Sequence, residues 1–336
     1  MGDEAVRSWL RVGLQLAVSA AVIAFLLFQI DLGRTVDLIA GSNPWYFLAA
    51  VAIFVATIVP LAWRWQVLLA SKGIHEPIGW LTKMYFVGYS ASQVLPTTIG
   101  GDAVRIIEHA RRRPTAKGEA AGAVLMERAI GSAATLVLVA VGLVLAIGRY
   151  DNIRFLVQIE LISIALVFLF GILVFSRRTN AFLQERVFPH GRVRRMQRPL
   201  SALWASLHGY RDQRGALFLV LTVSVALQFV RVLAIWCCGA AVGINLSPLV
   251  YVIFGPLLFL VMMIPITLNG LGVRESFFVF FLGRFDVDAD AAFAAGFLFF
   301  AVTLVPALPG ALILAWGAIR SAVLPAGRSE RARARP

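Results

Sequence analysis

Long runs of apolar residues without charge constrain the fold of this chain more than any other feature. A helix needs about 20 apolar residues to cross a bilayer core, and eight apolar runs near or above that length each carry at most one charge. The chain is 60% apolar and only 15% charged, whereas soluble domains usually carry about 25% charged residues. These properties exclude a soluble enzyme and predict an all-α integral membrane protein. The runs cover residues 12–30, 44–63, 78–95, 129–148, 155–176, 215–243, 248–264 and 291–319.

Two segments rich in proline and glycine interrupt the apolar sequence. Residues 95–105 and 264–274 align without a gap at an offset of 169 residues, and Arg105 matches Arg274. An offset close to half the chain predicts an internal repeat, one copy near residues 45–150 and the other near 215–319. A basic loop (177–214) and a basic tail (320–336) lie outside the two copies.

The interrupted segments are expected to be re-entrant hairpins that enter and leave the membrane on the same side. Proline and glycine break the helical ladder, and non-helical backbone at membrane depth survives only where it is buried in protein or lines a wet cavity. Paired interruptions of this kind point to a transporter binding site, although ordinary surface loops between full spans are the alternative. The expected hairpin backbone residues are Pro96, Thr98, Gly100, Gly101, Pro265, Thr267, Asn269, Gly270 and Gly272.

Basic residues predict the orientation in the membrane. With two hairpins and six full spans, 25 of the 31 basic residues fall on the side that holds both termini. Because basic residues collect on the cytoplasmic side, we expect cytoplasmic termini in the inner membrane of a bacterium. One hairpin then enters from each side, so the repeats are inverted, which is the architecture expected of alternating access.

Four arginines are candidates for binding an anionic headgroup. Arg105 and Arg274 are expected to begin the helices that leave the hairpins, where free backbone N–H groups and a guanidinium together suit phosphate; lipid-facing arginines that reach the membrane surface are the alternative. Arg128 begins the fourth apolar run beside Glu127. Arg231 lies within the sixth run, where a charge must face a partner or a cavity. Its expected partner is Glu275 or Glu127, unless it serves the substrate path.

The acidic residues near these arginines are expected to compensate charge. Asp102 and Glu108 each lie three residues from Arg105, on one helical face, and Glu275 follows Arg274 directly. We expect no catalytic residue, no metal site and no cofactor, because the histidines and the two adjacent cysteines lack ligand spacing and no phosphate-binding loop is present.

The two interrupted segments carry a family resemblance. The sequences LPTTIGGDAVR (95–105) with AVLMER (123–128), and PITLNGLGVRE (265–275), resemble the two signatures of the flippase-like membrane domain of lysylphosphatidylglycerol synthases. The resemblance covers about residues 12–320. In the two-domain synthases a soluble aminoacyl-transferase domain follows this region, and the resemblance does not include that domain. It implies a lipid flippase and a headgroup role for Arg105, Arg128, Arg274 and Glu275. The family often has Glu where this chain has Asp102.

The expected function is therefore movement of an anionic lipid between leaflets by alternating access. An aminoacyl-phospholipid and a polyprenyl-phosphate-linked sugar both remain open as cargo. The alternatives are a membrane transferase acting on a polyprenyl-phosphate lipid and a non-catalytic partner of a cell-envelope enzyme. No nucleic-acid partner is expected, and the protein partners left open are a second copy of the chain and a cell-envelope enzyme.

Overall fold

The chain folds into packed helices in a computed structural model. The structure describes residues 24–26, 28, 30–94, 100–146, 158, 161, 162, 165, 169, 176, 204–262 and 270–323. Within these residues every regular element is helical. The helices of nine or more residues are α1 (Leu32–Ala40), α2 (Pro44–Ala56), α3 (Ile58–Ala70), α4 (Ile78–Val94), α5 (Gly100–Arg112), α6 (Lys117–Ala146), α7 (Arg214–Ala241), α8 (Pro248–Met262), α9 (Val273–Leu282), α10 (Ala289–Leu304) and α11 (Ala307–Val323).

Four stretches of helix are long and apolar enough to cross a membrane. They are Pro44–Ala70, Pro114–Leu145, Arg214–Ala241 and Ala289–Trp316, and they coincide with four of the six full spans expected from the sequence. The protein is thus a multi-pass membrane protein with an all-helical fold. The other two expected spans, residues 12–30 and 155–176, lie almost entirely outside the described residues.

Both predicted hairpin turns also lie outside the described residues, at 95–99 and 263–269. Of the expected hairpin residues, Gly100, Gly101, Gly270 and Gly272 are described. Gly270 and Gly272 have φ of 77° and 83°, in the left-handed region that glycine adopts at little cost. These conformations allow the chain to turn into α9.

Two helix boundaries differ from the sequence predictions. The second apolar run was expected to end at residue 63, but α3 continues through Arg64 to Ala70. The fourth run was expected to begin at 129, but α6 begins at Lys117. Both extensions consist largely of good helix formers, and they carry Arg64 and Glu127 well inside membrane-spanning helices.

The apolar core has two clusters of buried side chains. One surrounds Phe254 of α8, whose ring centroid lies 4.7 Å from that of Phe278 and 5.1 Å from that of Phe281 on α9. The other surrounds Trp65 of α3, which is fully buried and lies 6.2 Å from the ring of Tyr85 on α4. The second cluster supplies the aromatic walls of the charged cavity described below.

Glycines let α4 approach two other helices closely. A Cβ atom added to Gly101 of α5 would overlap the carbonyl oxygen of Gly88 in α4. A Cβ added to Gly310 of α11 would overlap the carbonyl oxygen of Phe86, also in α4. The Ser90 hydroxyl donates to the Ala307 carbonyl at the same crossing with α11. Helix α4 is therefore held between α5 and α11 at the wall of the cavity.

Candidate functional site

A cavity of about 290 Å³ lies among α3, α4, α5, α6 and α7. Charged side chains are rare in membrane-spanning helices because each is costly to bury, and those that occur usually face a cavity and have a function. The charged residues that line this one are Arg64, Asp102, Arg105, Glu127, Arg128 and Arg231.

Glu127 is the centre of the buried charge network. Its Oε1 accepts a hydrogen bond from Arg64 Nη2 at 2.9 Å and another from the Tyr85 hydroxyl. Its Oε2 accepts from Arg105 Nη2 at 2.7 Å. Arg64, Arg105 and Glu127 are all at least 94% buried. One carboxylate from α6 thus joins α3, α4 and α5.

Arg105 is fixed by aromatic rings as well as by charge. Its Cζ lies 3.9 Å from the ring centroid of Tyr85 and 4.3 Å from that of Trp65. Cation–π contacts of this kind are worth about 2 kcal/mol or more when desolvated. A further bond of 3.3 Å joins Arg105 Nη1 to Asp102. Arg105 is the sixth residue of α5, so it lies one turn beyond the free N–H groups where the sequence placed it.

Asp102 and Arg128 form the more exposed edge of the cavity. Arg128 Nε donates to Asp102 Oδ2, and the Arg128 side chain is 33% exposed. Asp102 therefore compensates both Arg105 and Arg128. Glu108, also expected near Arg105, instead pairs with Arg111 at the surface, at 2.6 Å.

Arg231 has no carboxylate partner among the residues described. Its Nη2 donates to the Tyr89 hydroxyl at 2.8 Å, and its Cζ lies 4.6 Å from the ring centroid of Phe54. The expected partners are engaged elsewhere, Glu127 by Arg64 and Arg105 and Glu275 by Arg274. Of the two alternatives for Arg231, the ion pair with Glu127 or Glu275 is not formed among the described residues, and the Tyr89 hydroxyl and the Phe54 ring take the place of a countercharge.

A second cavity, of about 190 Å³, contains Arg274. Arg274 is fully buried and donates from Nε and Nη2 to Glu275 Oε1, at 2.9 and 2.7 Å. Glu275 Oε2 accepts from the backbone N–H of Gly272 at 2.8 Å. Within this pair the two charges cancel.

The two cavities share lining residues. Arg105 lines the first and Arg274 the second, whereas Tyr89, Ser92 and Arg231 line both. The arginines at matching repeat positions therefore belong to adjacent cavities with Arg231 at their boundary.

A separate ionic cluster lies at the far end of α5. Glu76 Oε1 accepts from Arg113 Nε at 2.9 Å, and Glu76 Oε2 accepts from Arg112 Nε at 3.0 Å. His109 is fully buried between the rings of Trp65 and Trp80, and its Nε2 lies 3.9 Å from Glu76 Oε1. Burial lowers the pKa of His109 from its ordinary value of 6.5, against the opposing effect of Glu76. The cluster anchors α5 to the loop before α4.

Sequence reasoning missed three residues of the first cavity. Arg64 was interpreted as a flank of the second run, although the apolar sequence continues past it to residue 70, which was the available signal. Tyr85 and Tyr89 carry no comparable signal, since aromatic residues at helical spacing are common in apolar helices.

Residues 12–310 match the model of the family described as the lysylphosphatidylglycerol synthase TM region. The chain belongs to this family. No curated protein matches the chain. Membership confirms the resemblance found in the sequence.

Proposed function

We propose that the protein moves an anionic lipid headgroup between the two leaflets by alternating access. The observation that carries this proposal is Arg231, a cation without a carboxylate partner among the described residues, at the boundary of two cavities between membrane helices. An unpaired charge at the bilayer centre costs from about 3 to more than 10 kcal/mol, depending on the method. A cation at that depth lowers the cost for a passing phosphate.

The headgroup occupies the cavities while its acyl chains stay in lipid. Arg105 and Arg274 are the proposed contacts from the two halves, and Arg231 lies between them. Arg128 is the proposed first contact, since its side chain is 33% exposed whereas those of Arg105 and Arg274 are buried. Arg105, Arg128 and Arg274 each exchange part of a carboxylate contact for phosphate oxygens when they engage the lipid, so binding weakens the internal ion pairs.

An inverted repeat with re-entrant hairpins is part of the proposal. The order of helices supports it. In the second half α8 corresponds to α4, α9 to α5, and α10 with α11 to α6. These pairs are separated by nearly the same number of residues as the two motifs. Two halves of opposite orientation supply the two states that alternating access needs.

We also propose cytoplasmic termini and a location in the bacterial inner membrane. Contacts within the expected cytoplasmic face support this orientation: Arg112 and Arg113 bind Glu76, and Lys72 lies over the ring of Tyr210. On the expected outer face, Arg34 of α1 pairs with Asp288 at 2.8 Å.

The direct test is lipid movement in proteoliposomes. The purified full-length protein is reconstituted with a fluorescent anionic lipid, and quenching from outside measures exchange between leaflets. We expect exchange faster than in protein-free vesicles, lost in Arg231→Gln and kept in Arg284→Gln, which removes an exposed arginine far from the cavities. Exchange at the protein-free rate would overturn the proposal. A covalently altered lipid would instead identify a transferase, and an unchanged lipid without exchange would favour a scaffolding role.

A further inference from the structure

The first cavity carries an excess of positive charge. Four arginines and two carboxylates line it, which leaves an excess of two positive charges among the described lining residues. Residues 95–99 and 263–269, which join α4 to α5 and α8 to α9 and lie outside the described residues, contain no ionisable side chain and so add no charge. Burial without countercharge is unfavourable, and a ligand with two negative charges would neutralise the excess.

Every carboxylate oxygen of this cavity already accepts a hydrogen bond. The two oxygens of Glu127 accept from Arg64, Tyr85 and Arg105. The two oxygens of Asp102 accept from Arg105 and Arg128. An ammonium group entering the cavity would have to share a carboxylate that a guanidinium already binds, and it would lie close to four arginine charges.

The second cavity offers no better place for an ammonium. Glu275 is the acidic residue beside it, and both of its oxygens accept from Arg274 or from the Gly272 backbone. Like-charge contact in a site of low dielectric is strongly unfavourable, so both cavities disfavour a cationic headgroup.

Hydrogen-bond donors without partners also favour a phosphate over an ammonium group. The Nε–H groups of Arg64, Arg105 and Arg231 are buried and have no hydrogen-bond partner among the described residues. A buried donor without an acceptor costs about 1–3 kcal/mol, and a guanidinium that rotates toward a phosphate in the cavity would relieve this cost. A volume of about 290 Å³ is at the lower end of small-molecule pockets, which suits a headgroup and leaves the acyl chains outside.

We propose that the headgroup this protein binds is a dianionic phosphate without an ammonium group. The inference rests on the proposed lipid transport and narrows its cargo: it favours a phosphate-monoester lipid and excludes a lysyl ester of phosphatidylglycerol as the preferred ligand.

Binding to the detergent-solubilised full-length protein tests the inference separately from transport. The probes are phosphatidic acid at about pH 8, where the monoester carries most of its second charge, and lysylphosphatidylglycerol of the same acyl chains. We expect phosphatidic acid to bind at least about tenfold more tightly. Equal affinity, or tighter binding of lysylphosphatidylglycerol, would overturn the inference. Glycerol 3-phosphate is the third probe, and affinity equal to that of phosphatidic acid would refute a lipid ligand.

Charge variants sharpen the test. Arg231→Glu lowers the excess positive charge of the first cavity from two to zero and supplies a free carboxylate. The preference for phosphatidic acid over lysylphosphatidylglycerol should therefore fall at least about tenfold. Arg128→Gln, at the more exposed edge, lowers the excess to one and serves if Arg231→Glu fails to fold. Arg284→Gln is the matched control and should leave the ratio of affinities unchanged. An unchanged ratio in the folded cavity variants would contradict the charge argument.

Transport and binding results separate the two proposals. If phosphatidic acid binds with the expected preference but is not exchanged between leaflets, the charge inference stands and the transport proposal fails. If lysylphosphatidylglycerol is preferred and is exchanged, transport stands and the inference fails.

Discussion

Arg105 of α5 and Glu127 of α6 form a buried ion pair in which Nη2 lies 2.7 Å from Oε2. They are separated by 22 positions in the sequence, and Arg64 of α3 binds the other oxygen of the same carboxylate. Because three helices meet at one carboxylate, the packing of this region depends on Glu127 being ionised.

Removing the Glu127 charge should destabilise the protein strongly. Glu127→Gln leaves Arg64 without its carboxylate partner and leaves Arg105 with the longer contact to Asp102, at 3.3 Å. Breaking a buried pair typically costs about 3–5 kcal/mol in the free energy of unfolding. Unfolding in detergent should show this loss for Glu127→Gln. The double variant Arg105→Gln/Glu127→Gln should lose clearly less than the sum of the two single variants. Additive losses, within about 0.5 kcal/mol, would show that the two side chains do not interact.

The crossing of α4 and α11 should tolerate no side chain at Gly310. Gly310→Ala places a Cβ against the Phe86 carbonyl oxygen, and overpacking of this kind costs about 1–3 kcal/mol. The matched variant is Gly79→Ala in the first turn of α4, where an added Cβ meets nothing within 4 Å. Thermal unfolding should show a lower midpoint for Gly310→Ala only, and equal midpoints would refute the close approach.

His109 should make the stability of the protein depend on pH. Its pKa is lowered by burial from 6.5, so below that pH the unfolded chain binds a proton more readily than the folded chain. The His109 contribution to stability is therefore present above 6.5 and lost as the pH falls from about 7 toward 5. His109→Phe, which keeps an aromatic ring between Trp65 and Trp80, should show a smaller loss of unfolding free energy over that range. A loss equal to that of the wild type would exclude His109 as the cause.

Cysteine labelling should place two exposed positions on opposite sides of the membrane. Arg111→Cys is expected to react with an impermeant thiol reagent only after the cytoplasmic side is opened, and Asp288→Cys should react in intact cells. The native thiols Cys237 and Cys238 are buried, so the unmodified protein is the background control. Reaction of both variants from outside would contradict the proposed orientation.

The apolar runs predicted four membrane helices correctly because long charge-free segments have few other stable arrangements. The ends of the helices were less predictable. Arg64 was taken as the end of a span, since a single charge is a common flank, yet packing against Glu127 and Ser224 allows the helix to continue.

The pairing within the site could not be predicted from spacing. Asp102 was expected beside Arg105 because three positions on a helix bring side chains together, and that contact is confirmed. Glu127 contacts Arg105 only because α5 and α6 pack side by side. The predicted hairpins, the inverted repeat and the headgroup roles of the arginines remain predictions.

The contrast between Arg231 and Arg274 has a consequence for where a ligand rests. The Arg274 charge is cancelled by its neighbour in the chain, whereas the first cavity keeps a surplus of two positive charges, which includes the charge of Arg231 that it shares with the second cavity. Because the two cavities differ in electrostatic potential, they cannot hold an anion equally well. A phosphate that enters both cavities would spend more time in the first, the more positive one. The ligand-bound protein therefore rests in an asymmetric state, even if the backbones of its two halves are alike.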